Sequence, residues 1–109
     1  RTGVRSVPPQ QAVNLFNQGA VFIDFRSDSE FEKGHISDAI HIPSGYLQDR
    51  ISSLEKHKKS TIIIYSQNGS DLQSSLKLLK NNDFNDVLEL RGGMTAWLGD
   101  NMPIQSGRK

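Results

Sequence analysis

The fold of this chain is decided by one stretch, Thr61-Ile62-Ile63-Ile64-Tyr65-Ser66-Gln67-Asn68-Gly69-Ser70-Asp71-Leu72. Its first residues are β-branched or aromatic, and the run is short, as is typical of a buried strand rather than a helix. A short polar loop follows, and Leu72, Leu76 and Leu79 then recur at the spacing of one helix face. We therefore predict a buried strand, a loop over its carboxyl end, and a helix at residues 70–82.

The loop that begins at Ser66 is the predicted functional site. Between a strand and a helix N-terminus, several backbone N–H groups converge inside such a loop, and the helix adds the positive end of its dipole. We expect the side chain of Ser66 to face this cradle, which suits an anion or a nucleophile. The loop residues that complete the predicted site are Gln67, Asn68, Gly69, Ser70 and Asp71. Ligand contacts are expected from the N–H groups of residues 67–70.

The rest of the chain alternates predicted strands with predicted helices. Further strands are expected at residues 4–7, 20–25, 39–42 and 86–90. The helices between them are expected to begin after Pro8-Pro9, at a cap of Ser27 or Asp28, at Ser44, and after Gly92-Gly93. This order predicts an α/β fold, with a mainly parallel five-stranded sheet and helices on both faces. Residues 1–109 form one predicted domain with its core at about residues 4–100 and a solvated loop at 55–59. A polar tail at 101–109 is expected to fray, with Met102 and Ile104 as the residues in it that could pack.

Composition excludes several classes of function. Thirteen Lys and Arg residues against twelve Asp and Glu residues give a formal charge of +1, which argues against nucleic-acid binding. The chain has no cysteine, which excludes disulfides, thiolate metal sites and cysteine-based catalysis. The three histidines, His35, His41 and His57, lack the spacing of metal ligands, so no metal or other cofactor is predicted. No segment approaches the ~18 apolar residues of a membrane span, and we expect a cytoplasmic protein.

Three separated stretches resemble the rhodanese-like family of sulfurtransferase domains. They are Phe22-Ile23-Asp24-Phe25-Arg26 with Glu30 and Gly34-His35-Ile36, then residues 39–43, then Leu90-Arg91-Gly92-Gly93-Met94-Thr95-Ala96-Trp97. The resemblance covers roughly residues 7–98. It implies that Asp24 and Arg26 form a buried hydrogen-bonded pair that shapes the site, and that His35 ties the loop to its neighbours.

Asp38 stands where the family usually has a glycine after the Gly-His-Ile triplet, and this variant resembles some small membrane-anchored members. Together with the start at Arg1 rather than Met, this is compatible with an upstream membrane anchor that the sequence does not show.

Two residues depart from the pattern of active members of that family. Ser66 occupies the position of the cysteine that carries sulfane sulfur as a persulfide, and Asp71 stands where many members have arginine. A serine hydroxyl stays protonated and cannot hold a persulfide, whereas a cysteine in such a loop becomes a reactive thiolate. At ~5 Å and an effective dielectric near 20, a carboxylate repels an anion by roughly 3 kcal/mol. The sequence as written therefore predicts no sulfurtransferase activity.

Alternatives stay open for both residues. Ser66 is either a natural replacement or a deliberate substitution of a catalytic cysteine, and Asp71 favours the former because one substitution does not explain both departures. Asp71 also has a purely structural interpretation, since a carboxylate in a first helical turn stabilises the helix by about 0.3–1 kcal/mol.

We predict a binding or regulatory domain that takes a small anion or sulfur donor at the loop, or a protein partner. The alternative is a thiosulfate-type sulfurtransferase that has lost its cysteine. A related phosphatase is disfavoured because residues 66–72 contain neither cysteine nor arginine.

Overall fold

A computed structural model describes residues 5–108. The strands are β1 Ser6–Val7, β2 Val21–Asp24, β3 His35–Ile36, β4 Ile40–His41, β5 Ile62–Tyr65, β6 Val87–Leu90 and β7 Ile104–Gln105. Five of them form one parallel sheet in the order β1-β6-β5-β2-β4, with β5 in the centre. The other two, β3 and β7, form a small antiparallel ribbon. The helices are α1 Pro9–Asn17, α2 Asp28–Lys33, α3 Leu47–Arg50, α4 Gln73–Asn81 and α5 Gly93–Gly99.

The predicted architecture, a mainly parallel five-stranded sheet with helices on both faces, is confirmed. Successive residues of β5 point to opposite faces of the sheet and are almost completely buried on both. On one face, Ile62 and Ile64 pack with residues of α3 and α4, such as Leu47 and Leu79. On the other face, Ile63 and Tyr65 join a second cluster built from α1 and α5, which includes Ala12, Met94 and Trp97. Two apolar layers on one sheet explain why 109 residues suffice without a disulfide.

The helix after β5 begins later than predicted. It starts at Gln73 rather than at residue 70, because Asp71 adopts a left-handed backbone conformation with φ of 62°. A left-handed residue interrupts a right-handed helix. The interpretation of Asp71 as a helix-stabilising carboxylate in a first turn is therefore wrong. Asp71 belongs to the loop, where it is exposed.

Three other segments also differ in detail. The helix expected from Ser44 is divided into a 3₁₀ turn at Ser44–Tyr46, the short helix α3, and a 3₁₀ helix at Ile51–His57 that includes part of the expected loop. Of the two candidate caps for α2, Ser27 is the N-cap, in a capping box with Glu30. Strands β2, β4 and β6 are shorter than predicted by one residue at one or both ends. Val4, the predicted start of β1, lies outside the described residues.

The C-terminal segment does not fray as predicted, as far as residue 108. Ile104 and Gln105 form β7, which pairs with β3. The Trp97 indole N–H donates to the carbonyl of Pro103 at 2.9 Å, and the Gly107 N–H donates to the carbonyl of Glu32 at 2.9 Å. Composition predicted a loose tail because polar residues dominate it, but backbone hydrogen bonds hold it beside α2.

The burial of Leu79 on α4 predicts that truncating it destabilises the protein much more than truncating Leu98 on α5. Leu79 is completely buried, whereas Leu98 on α5 is 46% exposed. We expect Leu79→Ala to lower the free energy of unfolding by about 2–5 kcal/mol, because it removes buried methyl groups and leaves a cavity. Leu98→Ala is the matched control and should stay within about 0.5 kcal/mol. Urea denaturation followed by Trp97 fluorescence measures both, and equal losses would contradict the packing of α4.

Candidate active-site bowl

The loop after β5 closes over the carboxyl edge of the sheet, where ligands bind in open parallel α/β folds. It borders a cavity of about 330 Å³, which we call the bowl. The polar and charged residues that line the bowl are Arg26, Ser27, Glu30, Ser44, Ser66, Gln67, Asn68, Ser70 and Asp71. The structure thus brings Ser66 together with Arg26 and most of the predicted loop.

Some of the loop N–H groups are occupied within the loop itself. The Gly69 N–H donates to the Ser66 hydroxyl oxygen at 3.0 Å. The side-chain oxygen of Asn68 accepts from the Ser70 N–H at 3.1 Å and from the Ser70 hydroxyl at 2.6 Å. Within residues 5–108, no group accepts the N–H of Gln67 or of Asn68. Two of the four N–H groups expected to contact a ligand are therefore available in this conformation.

Helix α5 supports the loop from below, a role that the sequence reasoning missed. The N–H groups of Met94 and Thr95 donate to the carbonyl oxygens of Ser66 and Gln67, at 3.0 and 2.9 Å. Gly93 permits this approach: a Cβ there would overlap the Ser66 carbonyl oxygen and lie 2.8 Å from the Gly69 nitrogen. The Gly92-Gly93 pair after a strand was the available signal, because such pairs often mark close backbone approach.

Arg26 joins three segments around the bowl. Its guanidinium makes hydrogen bonds of 2.9–3.2 Å to the carboxylate of Asp24, one of 2.6 Å to the carbonyl of Gly34, and one of 3.0 Å to the side-chain oxygen of Gln67. Asp24 is completely buried and Arg26 is 7% exposed. Burial alone would lower the pKa of Arg26, but the hydrogen bond and charge of Asp24 outweigh it and raise that pKa. Arg26 therefore stays charged, and its charge is matched inside the protein.

A layer of aromatic rings lies beside the Asp24–Arg26 pair. His35 donates through Nδ1 to the carbonyl of Phe31 at 2.7 Å, and its ring stacks on that of Phe31 at 3.6 Å. His41 stacks on the same phenyl ring at 4.2 Å and donates through Nε2 to the carbonyl of Arg26. His35 is buried and does not line the bowl, so its placement is that of a structural residue.

Tyr65 links the end of β5 to this layer. Its hydroxyl accepts the N–H of Ile36 at 3.2 Å, and Tyr65 lies beside Asp24 on the neighbouring strand. Burial, together with the neighbouring carboxylate of Asp24, raises the pKa of Tyr65 well above its usual range. The hydroxyl therefore remains protonated beside a fully buried carboxylate.

Within residues 5–108, no group of three His, Asp or Glu side chains is arranged to hold a metal ion. None of the helices in the same part of the chain is long and apolar enough to cross a membrane.

Comparison with known proteins places this bowl in a family. The sequence model of the Rhodanese-like domain matches residues 8–100. The chain belongs to the rhodanese-like family. Thiosulfate sulfurtransferase GlpE of Pseudomonas syringae pv. syringae is 34% identical over 96 residues, which cover 88% of this chain and 89% of GlpE. YibN of Escherichia coli K12 is 32% identical over 107 residues, which cover 96% of this chain and 75% of YibN.

Solved structures have the same rhodanese-like fold. A rhodanese-related protein from Thermoplasma volcanium superposes with a TM-score of 0.82 at 19% identity, covering 93% of this chain and 97% of that protein. The Alr3790 protein from Anabaena superposes with a TM-score of 0.80 at 28% identity, covering 93% of this chain and 80% of that protein. The resemblance to the rhodanese-like family, and the fold predicted from the alternation of strands and helices, are thus confirmed.

The buried pair predicts a large cost for removing one partner. Asp24→Ala leaves the Arg26 guanidinium buried without its carboxylate, and we expect a loss of about 3–5 kcal/mol in the free energy of unfolding. Asp86→Ala is the matched control: its ion pair with Arg5 also spans 2.9 Å but is about half exposed. The control should lose no more than about 1 kcal/mol. Thermal or urea unfolding compares them, and a small loss for Asp24→Ala would contradict the structural role given to the pair.

The close approach of α5 to the loop predicts a selective effect of a single methyl group. Gly93→Ala forces a Cβ into the loop backbone at a residue with φ of 57°, and should destabilise the protein by more than about 1 kcal/mol. It should also shift the amide NMR signals of residues 66–70. Gly99→Ala in the same helix meets no atom within 4 Å and should leave those signals in place. Unchanged loop signals in Gly93→Ala would argue against α5 as the support of the bowl.

Proposed function

We propose that this rhodanese-like domain does not transfer sulfane sulfur and instead serves a binding or regulatory role through its bowl. The observation that carries the proposal is the environment of Ser66. In active members of the family, a cysteine occupies this position, and the loop N–H groups would activate its thiolate. Here the Ser66 hydroxyl takes its place and accepts the Gly69 N–H at 3.0 Å. Among the described residues, no imidazole or carboxylate is hydrogen-bonded to this hydroxyl as a base. Serine in this setting neither ionises nor forms the S–S bond of a persulfide.

The charges around the bowl support the same proposal. Asp71 and Glu30 both line the bowl. The charge of Arg26 is matched by Asp24, and Glu30 also acts on it electrostatically. An anionic sulfur donor such as thiosulfate would meet these carboxylates without an uncompensated cation, so the bowl is poorly suited to it. Of the contacts expected for the small anion predicted from the sequence, the N–H groups of Gln67 and Asn68 are those that remain available among the described residues.

A second candidate is a thiosulfate-type sulfurtransferase whose catalytic cysteine has been replaced by Ser66. The similarity to GlpE supports it, because the alignment covers 89% of that thiosulfate sulfurtransferase. The intact support of the loop by α5 also supports it, since a cysteine at position 66 would enter the same cradle of N–H groups. The two candidates differ in what a restored cysteine would do.

The test compares the wild-type chain, Ser66→Cys, and the double variant Ser66→Cys/Asp71→Arg. We expect background thiosulfate:cyanide sulfur transfer from the wild type. In Ser66→Cys, the thiol should react with iodoacetamide but load sulfur slowly, because Asp71 repels thiosulfate. The double variant should form the persulfide roughly 10- to 100-fold faster, as expected from reversing one nearby charge. Intact-protein mass spectrometry measures the added sulfur atom.

The control variant is Ser66→Cys/Asp83→Arg. Asp83 is also exposed and also left-handed, with φ of 68°, but it follows α4 and does not line the bowl. This control variant should load sulfur no faster than Ser66→Cys alone. Clear turnover by the wild-type chain would overturn the proposed function. Full turnover by Ser66→Cys alone would support the second candidate.

A further inference from the structure

A second cavity, of about 220 Å³, lies next to the bowl. Arg26, Glu30 and Gln67 line both cavities, so the two spaces adjoin across the hydrogen bond between Arg26 and Gln67. The second cavity is also bordered by Met94, Leu98 and Ile104. We call the two cavities together the groove, and we call these last three residues the apolar shelf. The groove thus has a polar end beside Ser66 and an apolar end between α5 and β7.

Two of the three exposed large hydrophobic side chains among the described residues line this groove. Leu98 is 46% exposed and Ile104 is 44% exposed, and both belong to the apolar shelf. Tyr46 is 55% exposed and follows Ser44, which lines the bowl, by two residues. Within residues 5–108 no other large hydrophobic side chain is exposed to this degree. Apolar residues that flank a cavity in this way mark an interaction surface more often than isolated ones do.

The polar end of the groove carries an excess of negative charge. Among the described residues, two carboxylates, those of Glu30 and Asp71, line the bowl beside the guanidinium of Arg26, whose charge Asp24 already matches. Lys33 lines the second cavity and not the bowl. One oxygen of Glu30 accepts from the N-cap residue Ser27. Within residues 5–108, the Asp71 carboxylate has one hydrogen bond, of 3.5 Å from the Ser70 hydroxyl, and Asp71 is exposed. A cation complements this end, whereas an oxyanion does not.

We propose that the groove binds a protein segment that places a lysine or arginine side chain in the bowl and a neighbouring apolar side chain on the apolar shelf. This inference rests on the proposed function and names the chemistry of the partner. A cationic side chain satisfies Asp71 and Glu30 by charge-assisted hydrogen bonds, and its aliphatic stem suits a narrow cavity. A free small amine would fill the bowl alone and would leave Leu98 and Ile104 exposed. The apolar shelf therefore favours a peptide chain.

The test is an NMR titration of the full isotope-labelled chain at low salt with two synthetic peptides, acetyl-Leu-Ala-Lys-Ala-Leu-amide and its counterpart with Glu in place of Lys. We expect the lysine peptide to bind at least 10-fold more tightly. It should shift the amide signals of residues 67–71 and the methyl signals of Leu98 and Ile104. Equal binding of the two peptides, or shifts confined to another surface, would overturn the inference. So would stronger perturbation of the same amides by thiosulfate.

Two variants test the contributions of the polar end and of the apolar end of the groove separately. Asp71→Asn keeps a side chain that tolerates the left-handed conformation, and it should weaken the binding of the lysine peptide at least 5-fold. Asp83→Asn should leave that binding unchanged. Leu98→Ser should weaken the peptide but leave the weaker binding of acetyl-lysine amide unchanged, because that probe does not reach the shelf. Equal effects of Asp71→Asn and Asp83→Asn would overturn the role of the bowl carboxylates.

The two proposals fail in distinguishable ways. Sulfur transfer by the wild-type chain would overturn the proposed function, whatever the titration shows. Background sulfur transfer with no preference for the lysine peptide would overturn only the inference about the partner.

Discussion

The site of this protein depends on the buried ion pair between Asp24 and Arg26. The guanidinium reaches the end of β2, the carbonyl of Gly34 after α2, and the side chain of Gln67 in the loop after β5. Gln67 lies 41 residues from Arg26 in the sequence, and no other described side chain bonds to all three segments. Burying two charges is costly, and their attraction offsets that cost only when the geometry is close and every remaining group is bonded. The backbone N–H of Arg26, the carbonyl of Gly34 and the side chain of Gln67 supply such bonds here, so the pair holds the edge of the bowl in one arrangement.

The loop has a second support that does not involve charge. The first N–H groups of α5 donate to loop carbonyls, and Gly93 allows the two backbones to touch. Neither this support nor the ion pair uses the side chain at position 66. This explains physically how a chain without cysteine retains the bowl of a sulfurtransferase family. What serine changes is the reactivity of one atom, because a hydroxyl is far less acidic and less nucleophilic than a thiol.

The change at position 71 alters the bowl in a different way. Where many members of the family carry an arginine, this chain has an exposed carboxylate held in a left-handed conformation. An acidic residue tolerates that conformation better than most others, since its short polar side chain bonds locally. Glu30 also lines the bowl, and the charge of Arg26 is already matched by Asp24. In the function proposed above, Ser66 and Asp71 are the two positions that account for a change from sulfur chemistry to recognition.

Local patterns in the sequence were sufficient for the parallel sheet, the layers on its two faces, and the position of the loop. Runs such as Ile62–Tyr65 and the leucine spacing of α4 carry that information because burial follows side-chain periodicity directly. Only the tertiary structure decided that Asp71 leaves the helix, that β7 pairs with β3, and that Gly93 supports the loop. The pairing of β7 with β3 and the contact of Gly93 with the loop depend on backbone groups from segments far apart in the chain. Hydrogen bonds between such segments have no periodic signature in the sequence, because the partner of each N–H is chosen by the fold as a whole.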